Sequence, residues 1–450
     1  MNKKGRNLIV ERGVTAMELM EVILAKENLN QAYKKVVANK GASGIDEITV
    51  EELGSYIREN QEAIINSLRN KTYFPKPVRR VYIPKTDGKK RPLGIPTALD
   101  RTIQQAVAQP ISDLYEKIFS EYSYGFRPNR SCHDAIKQAL EYLNSGYEWV
   151  IDIDIEQFFD KVNHDKLIQI LREQVNDSSV LNLIRKYLRA GVIEKGIIKA
   201  TKTGVPQGGP ISVILSNVYL DKLDKELEGR GLRFVRYADD VLIFTKSEIA
   251  ANRVMMSISS WIERKLFLKV NATKSKVVRP MRSKYLGFTF LKNEGQWKVK
   301  PTNEKKAKLY QVMREYLKRG KAIARPLAVT IKRVNQIVMG WINYFRIGMM
   351  KQYMDEFGQW LRHKIRVIVI KQWKKPKTIY RNLSYLNRKY KNGFNNESIL
   401  MVANSRLGWY KRCSMNVVNY ILNPTLLETK IKDGAGLLNP LNYYLRKVGI

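Results

Sequence analysis

Two adjacent carboxylates interrupt an otherwise apolar stretch of the chain. Asp239 and Asp240 lie in "RFVRYADDVLIF", residues 233 to 244, between two runs of strand-forming residues. Unpaired ionised carboxylates among apolar neighbours carry a large desolvation cost, which a hard divalent cation such as Mg²⁺ offsets. For this stretch taken alone, the alternative is an ordinary hairpin turn whose aspartates face water.

A second acidic stretch favours the metal interpretation. "IDIDIEQFFD" places Asp152, Asp154 and Asp160 in an apolar setting. Because side chains alternate between the two faces of a strand, Asp152 and Asp154 share a face whose end can lie beside a neighbouring hairpin turn. Carboxylates from both stretches suit two Mg²⁺ ions about 3.5–4 Å apart, as used for in-line phosphoryl transfer to a 3′ hydroxyl with pyrophosphate leaving.

The composition predicts a polyanionic partner. The 450-residue chain carries 80 Lys+Arg against 42 Asp+Glu, a formal charge of +38. This excess indicates nucleic acid first and an anionic membrane surface second. Two cysteines and three histidines exclude a disulfide framework or a cysteine-rich zinc module, so a catalytic metal must use oxygen ligands.

Membrane association is the weaker interpretation of the charge. No stretch of the sequence approaches the roughly 20 apolar residues that span a bilayer. In "MNKKGRNLIVERG" the apolar run "LIV" is too short for a secretory signal. We therefore expect a cytoplasmic protein without a membrane partner.

Periodicity predicts an α+β class followed by an all-α tail. "VRRVYIPKTDGKKRPLGIP" predicts two strands joined at Asp87-Gly88, and "SKYLGFTF" predicts one more strand. "TKTGVPQGGPISVILSNVYLDKLDKEL" predicts a loop that enters a long amphipathic helix. Residues 301 to 450 hold 30 Lys+Arg against 7 Asp+Glu in helical patterns with interleaved aromatics, which suit phosphate contact and base stacking. A solvated helical face with core aromatics is the alternative there.

Seven blocks in order resemble a known family. They are "IPKTDGKKRPLGIPT", "YSYGFRPNRS", "DIEQFF", "GVPQGGPISVILSN", "YADD", "LKVNATKSKV" and "YLGFTF". The chain is similar to bacterial group II intron-encoded reverse transcriptases and maturases from about Leu19 through "GWINYF" and, more weakly, to its end. Residues after about 380 contain one cysteine and no histidine, so we expect the Cys/His-rich HNH endonuclease module of many relatives to be absent.

The resemblance implies the architecture of a right-hand polymerase. Fingers and a palm with an antiparallel sheet would be followed by an all-α thumb and a basic helical C-terminal domain. The implied divisions are residues 1–75 for an N-terminal extension and the start of the fingers, 76–300 for fingers and palm, 301–380 for the thumb or maturase domain, and 381–450 for a basic region that binds DNA or RNA.

The resemblance also implies the catalytic residues. Asp154, Asp239 and Asp240 match the catalytic triad and would bind two Mg²⁺ ions. Asp152 and Asp160 match acids of the family and are assigned structural roles.

Five further residues match positions that contact the incoming dNTP. Lys85 and Arg91 would grip the triphosphate, which suits a point charge and a bidentate fork. The bulk of Phe159 would exclude a 2′ hydroxyl by clash. Gln207 would lie beside the nascent base pair, and Lys274 near the triphosphate could give a proton to pyrophosphate.

Two other residues receive supporting roles. Arg127, in "GFRPNRS", is expected to order the fingers and to contact the template. His164 is expected to be a hydrogen-bonded residue at the start of a helix rather than a metal ligand.

The sequence thus predicts an RNA-directed DNA polymerase, a nucleotidyltransferase that copies an RNA template from a DNA primer with dNTPs. The resemblance adds binding of group II intron RNA for splicing, and of target DNA for mobility. One alternative is a splicing maturase without significant polymerase activity. Another is a related reverse transcriptase with a host task in repair or defence, and the surrounding DNA would distinguish these.

Overall fold

Helices alternate with short strands in the first part of the chain. The computed structural model describes residues 18–84, 88, 90–429 and 436–449. The chain divides into two units, one ending at Arg279 and the other beginning at Pro280. The helices of the first unit are α1 (Leu19–Leu24), α2 (Lys26–Ala38), α3 (Leu53–Arg69), α4 (Ala98–Glu116), α5 (Cys132–Asn144), α6 (Phe158–Lys161), α7 (His164–Arg172), α8 (Ser178–Arg189), α9 (Pro210–Gly229) and α10 (Glu248–Leu266). Its strands are β1 (Val78–Pro84), β2 (Lys90–Ile95), β3 (Trp149–Ile153), β4 (Val192–Glu194), β5 (Ile197–Lys199), β6 (Arg233–Tyr237), β7 (Asp240–Thr245) and β8 (Lys276–Val278).

The predicted antiparallel sheet is confirmed. Its strand order is β6-β7-β3-β8, and each neighbouring pair runs antiparallel. Tyr237 pairs with Asp240, so Ala238 and Asp239 form a two-residue turn between β6 and β7. The strand, turn, strand pattern of "RFVRYADDVLIF" therefore folds as predicted.

A second sheet is mixed. Its order is β2-β1-β4-β5, with β1 and β2 antiparallel and β1 and β4 parallel. The predicted β1–β2 hairpin is confirmed, and Gly88 between the strands has φ +79°. Lys85 and Asp87 lie outside the described residues.

The prediction of an amphipathic α9 was wrong. Every residue from Ile214 to Asp221 is buried, including Ser216 and Asn217. Helix α9 packs against α4, α7 and β6, so protein surrounds it on several sides. An amphipathic pattern is expected where a helix covers one side of a core, whereas α9 lies within the core.

The second unit begins with a small sheet and continues as helices. The antiparallel strands β9 (Lys284–Tyr285), β10 (Phe288–Asn293) and β11 (Gln296–Pro301) have the order β11-β10-β9. The prediction of one strand for "SKYLGFTF" was wrong, because Leu286 (φ +50°) and Gly287 (φ +82°) form a tight turn between β9 and β10. The helices are α11 (Asn303–Tyr316), α12 (Arg319–Ala322), α13 (Leu327–Phe345), α14 (Lys351–Trp373), α15 (Pro376–Lys389), α16 (Asn396–Asn404), α17 (Trp409–Arg412), α18 (Asn416–Ile421), α19 (Pro424–Glu428) and α20 (Pro440–Val448).

The helical spacing read in the basic tail is confirmed in α13. Its buried residues Ile331, Val334, Val338, Ile342 and Phe345 recur every three or four positions. This spacing places them along one side of the helix. In the described parts of the chain, no helix combines the length and apolarity that crossing a membrane requires.

Truncation of a buried α9 side chain should destabilise the first unit. Leu223 is fully buried, so Leu223→Ala removes apolar contacts and leaves a cavity. We expect the free energy of unfolding to fall by about 2–5 kcal/mol, measured by urea denaturation. The exposed Lys225→Ala, two residues away on the same helix, is the control and should change it by less than about 0.5 kcal/mol. Equal losses in both variants would contradict the burial of α9.

Candidate active site

The pairing of β3 with β7 brings the two acidic stretches together. The ladder runs from Trp149↔Thr245 to Ile153↔Val241. Asp154 directly follows Ile153, and Asp240 directly precedes Val241. Both aspartates therefore stand at the same end of the ladder, beside the turn that contains Asp239.

A short segment after α10 fixes Asp154. The Asp154 N–H donates to Ser275 Oγ at 3.0 Å, and its carbonyl accepts from Asn271 N–H at 2.8 Å. The Lys274 ammonium lies 3.2 Å from Asp154 Oδ2. Sequence reasoning singled out Lys274 but missed Asn271 and Ser275, although both belong to the same "NATKSK" block.

The carboxylates influence one another electrostatically. The pKa of Asp240 is raised to about 6 by desolvation, with further contributions from the negative charges of Asp239, Asp152 and Asp154. The Asp240 side chain is exposed, so burial alone does not explain this rise in pKa. Repulsion by the neighbouring negative charges accounts for part of it. Desolvation also raises the pKa of Asp152 to about 6, while the Lys276 ammonium 3.9 Å away opposes the rise.

The donor set fits a hard divalent cation. Among the described residues, no three Asp, Glu, His or Cys side chains already stand close enough to hold a metal ion. Asp154, Asp239 and Asp240 nevertheless stand at the same end of the β3–β7 ladder, and the repulsion between Asp240 and its acidic neighbours is the kind that a bound cation relieves. Carboxylate oxygens are the donor type that a hard divalent cation prefers.

Two of the residues predicted to contact dNTP bind each other. Arg91 on β2 donates from Nε to Gln207 Oε1 at 2.8 Å. The Gln207 carbonyl accepts from Gly94 N–H at 2.8 Å, and a Cβ at Gly208 would lie 2.3 Å from the Gly94 carbonyl oxygen. The β1–β2 hairpin and the "PQGG" loop are thus in direct backbone contact, for which Gly208 needs to be glycine.

Phe159 lies in α6 and is half-buried, and its ring and that of Phe158 pack edge to face at a centroid distance of 5.2 Å. Its carbonyl accepts from Val205 N–H at 2.6 Å.

The neighbouring Gly204 carbonyl accepts from His164 Nε2 at 2.8 Å. His164 is therefore a hydrogen-bonded residue at the start of α7, as predicted, and burial lowers its pKa.

Arg127 has a structural position. Its side chain is 2% exposed, pairs with Glu116 at 2.8 Å, and donates to the Ser123 carbonyl at 2.9 Å. These bonds order the segment around it. The template contact expected of Arg127 stays a prediction, and the bonds to Glu116 and Ser123 leave little of its guanidinium accessible.

Comparison with known proteins gives matches along both units. Residues 83–290 match the family described as "Reverse transcriptase (RNA-dependent DNA polymerase)", and residues 306–386 match "Group II intron, maturase-specific domain". The chain is 41% identical over 208 residues to the "Group II intron-encoded protein LtrA" of Lactococcus lactis subsp. cremoris, covering 46% of this chain and 34% of that protein. It is 32% identical over 299 residues to "Protein YkfC" of Escherichia coli (strain K12), covering 58% of this chain and 78% of that protein.

Two features define the class of protein. One is an antiparallel sheet with carboxylates at one end of its β3–β7 ladder, and the other is the maturase-specific segment that follows it in the chain. The chain belongs to the reverse transcriptase family, among the group II intron-encoded proteins. The resemblance seen in the sequence blocks, and the fold that it implied, are confirmed. The matched region spans about a third of the length of LtrA.

Neutralising Asp240 should stabilise the metal-free protein at neutral pH. Its folded pKa of about 6 lies above the ordinary value of 3.8, so the charged form is penalised above pH 6 and this penalty disappears as the pH falls toward 4. We expect Asp240→Asn to raise the melting temperature at pH 7.5 without Mg²⁺, and to raise it less at pH 5. The exposed Asp113→Asn is the control, and its effect should not depend on pH in this way. A destabilised Asp240→Asn at pH 7.5 would contradict the repulsion.

Proposed function

We propose that this protein is an RNA-directed DNA polymerase that extends a DNA primer on an RNA template with dNTPs. The observation that carries the proposal is the convergence of Asp154, Asp239 and Asp240 at one end of the β3–β7 ladder. Family membership supports the same reaction class.

The carboxylates would hold two Mg²⁺ ions. When bound, the metal supplies Lewis-acid stabilisation of the charge that develops on the attacking and leaving oxygens. Asp154 is pre-positioned for this task, because its backbone N–H and carbonyl are both bonded to the 271–275 segment. Lys274 balances its charge at 3.2 Å. Its proposed further role, from the sequence resemblance, is to give a proton to pyrophosphate.

Arg91, Gln207 and Lys85 form the proposed dNTP contacts. The bond from Arg91 Nε to Gln207 orients a planar guanidinium, which suits a triphosphate. Gln207 also ties the β1–β2 hairpin to the loop before α9 through its carbonyl. The Lys85 contact is proposed from the sequence resemblance, since Lys85 lies outside the described residues.

The second unit would bind the intron RNA. The final 150 residues carry a net charge of +23, from 30 Lys+Arg against 7 Asp+Glu. A basic helical surface suits structured RNA, which is recognised largely by its shape and backbone. The maturase-specific match over residues 306–386 supports a role in splicing.

The proposal also includes the wider setting of the protein. The proposed divisions are the N-terminal extension and the start of the fingers (residues 1–75), the fingers and palm (76–300), the thumb or maturase domain (301–380), and the basic nucleic-acid-binding region (381–450). Target DNA is the partner for intron mobility, and the protein works in the cytoplasm.

Loss of one proposed metal ligand should separate catalysis from RNA binding. Asp239→Ala removes a ligand and leaves the basic surface intact, so we expect primer extension on an RNA template to fall by about 100-fold or more. The affinity for RNA should stay within about threefold of wild type. Asp113→Ala is the matched control and should extend primers normally.

The outcomes of that experiment distinguish the candidate functions. Extension by the wild type and by Asp113→Ala alone supports the polymerase. No extension by any variant, together with tight and salt-sensitive RNA binding, would favour a maturase without polymerase activity.

Shortening Phe159 should relax the choice of sugar. Phe159→Ala removes the ring proposed to clash with a 2′ hydroxyl, so we expect incorporation of rNTP relative to dNTP to rise by about 10- to 100-fold. Single-nucleotide kcat/KM values for the two nucleotides give this ratio, and the dNTP value serves as the internal control. An unchanged ratio with normal dNTP incorporation would contradict the role of Phe159.

A further inference from the structure

A buried ion pair lies directly beneath the turn that contains Asp239. Arg236 on β6 and Asp224 on α9 are both fully buried, with side-chain exposures of 0%. Arg236 Nε donates to Asp224 Oδ1 at 2.7 Å, and Arg236 Nη2 donates to Asp224 Oδ2. This two-pronged arrangement fixes the plane and the position of the guanidinium.

The same guanidinium binds the turn itself. Arg236 Nη1 donates to the Ala238 carbonyl at 2.9 Å. Ala238 is the first residue of the two-residue turn and has φ +57°, a conformation that hairpins usually give to glycine. A side chain that binds the Ala238 carbonyl therefore stabilises a backbone conformation that alanine alone disfavours.

A second link connects Arg236 to the segment on which the turn rests. Arg236 Nη1 also donates to Asn217 Oδ1 at 3.0 Å, and Asn217 Nδ2 donates to the Gly125 carbonyl at 2.9 Å. A Cβ at Gly125 would lie 2.2 Å from Ala238 N, so the backbone at position 125 touches the turn directly. Helix α9 thereby holds the turn both through Arg236 and through Gly125.

Stability alone does not account for this arrangement. Apolar residues of similar volume often replace a buried ion pair with no loss of stability, because desolvation of the charges offsets their attraction. An apolar pair would, however, leave the Ala238 carbonyl without its donor. The bond to Ala238 is what an apolar replacement cannot supply.

We propose that Arg236 is a positioning residue for the active site. By holding the Ala238 carbonyl, and being held by Asp224 and Asn217, it fixes where Asp239 and Asp240 present their carboxylates. The inference deepens the proposed polymerase site and rests on that function for its kinetic consequence. Its structural consequence, a rigid turn, does not depend on catalysis.

The double variant Arg236→Met/Asp224→Leu tests the proposal. It removes the donor to Ala238 while avoiding an unpaired buried charge, so the melting temperature should fall only by the modest cost of leaving the Ala238 carbonyl and Asn217 Oδ1 without this donor. Hydrogen exchange followed by mass spectrometry should show peptides covering residues 237–241 exchanging about 10-fold faster. The Mg²⁺ concentration for half-maximal primer extension should rise by about 10-fold at unchanged affinity for primer-template, as when a metal ligand loses its supporting bonds.

A matched control separates this effect from the general loss of an ion pair on α9. Arg230 and Glu226 form an ion pair at the C-terminal end of α9 at 2.7 Å. Arg230→Gln/Glu226→Gln should leave both the exchange of the turn and the Mg²⁺ dependence as in the wild type.

Wild-type exchange at the turn in a folded double variant overturns the proposal. So does a loss of activity that follows a lower melting temperature while the Mg²⁺ dependence stays normal. If the double variant does not fold, Asn217→Leu decides, since it keeps the ion pair but removes both the bond that Asn217 makes to Arg236 and the link to Gly125. It should speed exchange of the turn by about threefold, and no change would overturn the proposal. Should the wild type extend no primer, the polymerase function fails, and exchange at the turn still tests the positioning role.

Discussion

The register between β3 and β7 is the constraint on which the site depends. Side chains alternate along each strand, so a slip of one residue would turn Asp154 to the opposite face and separate it from Asp239 and Asp240. Buried apolar residues on both strands, among them Ile151, Ile153 and Ile243, hold this register, because a slip would disrupt their close packing. The apolar residues that surround the aspartates therefore determine that the aspartates lie at the same end of the sheet.

Concentrating carboxylates at one point of a chain with a net charge of +38 has opposite effects on stability and function. Repulsion helps to raise the pKa of Asp240 to about 6, which disfavours the metal-free folded state at neutral pH. The same repulsion favours any cation that enters, and the lysines beside Asp152 and Asp154 offset part of it. Strain of this kind at an active site is tolerated when the surrounding structure supports it, here through the buried polar contacts beneath the turn.

Helices and strands whose pattern lies within a short stretch of sequence were predictable. Contacts between residues far apart in the sequence were not. The β6–β7 hairpin and the strand before Asp154 follow from alternation and turn residues that are near in sequence. The prediction of an amphipathic α9 was wrong because only the tertiary packing shows that other elements of the protein surround this helix. The pairing of Arg236 with Asp224 and the contact of Ser275 with Asp154 were missed because no sequence spacing encodes which polar residue meets which. Arg127 matched a family block, whereas its burial against Glu116 is visible only in the fold.

The most direct measurement would localise the bound cation on the folded chain. Replacing Mg²⁺ with Fe²⁺ in the presence of primer-template, then adding ascorbate and peroxide, produces hydroxyl radicals that cut the backbone near the metal. We predict cuts close to Asp154 and within the Ala238–Asp240 turn, suppressed by excess Mg²⁺ and lost in Asp239→Ala. Specific cuts elsewhere, with neither of these segments cleaved, would contradict the assignment of the β3–β7 ladder end as the catalytic centre.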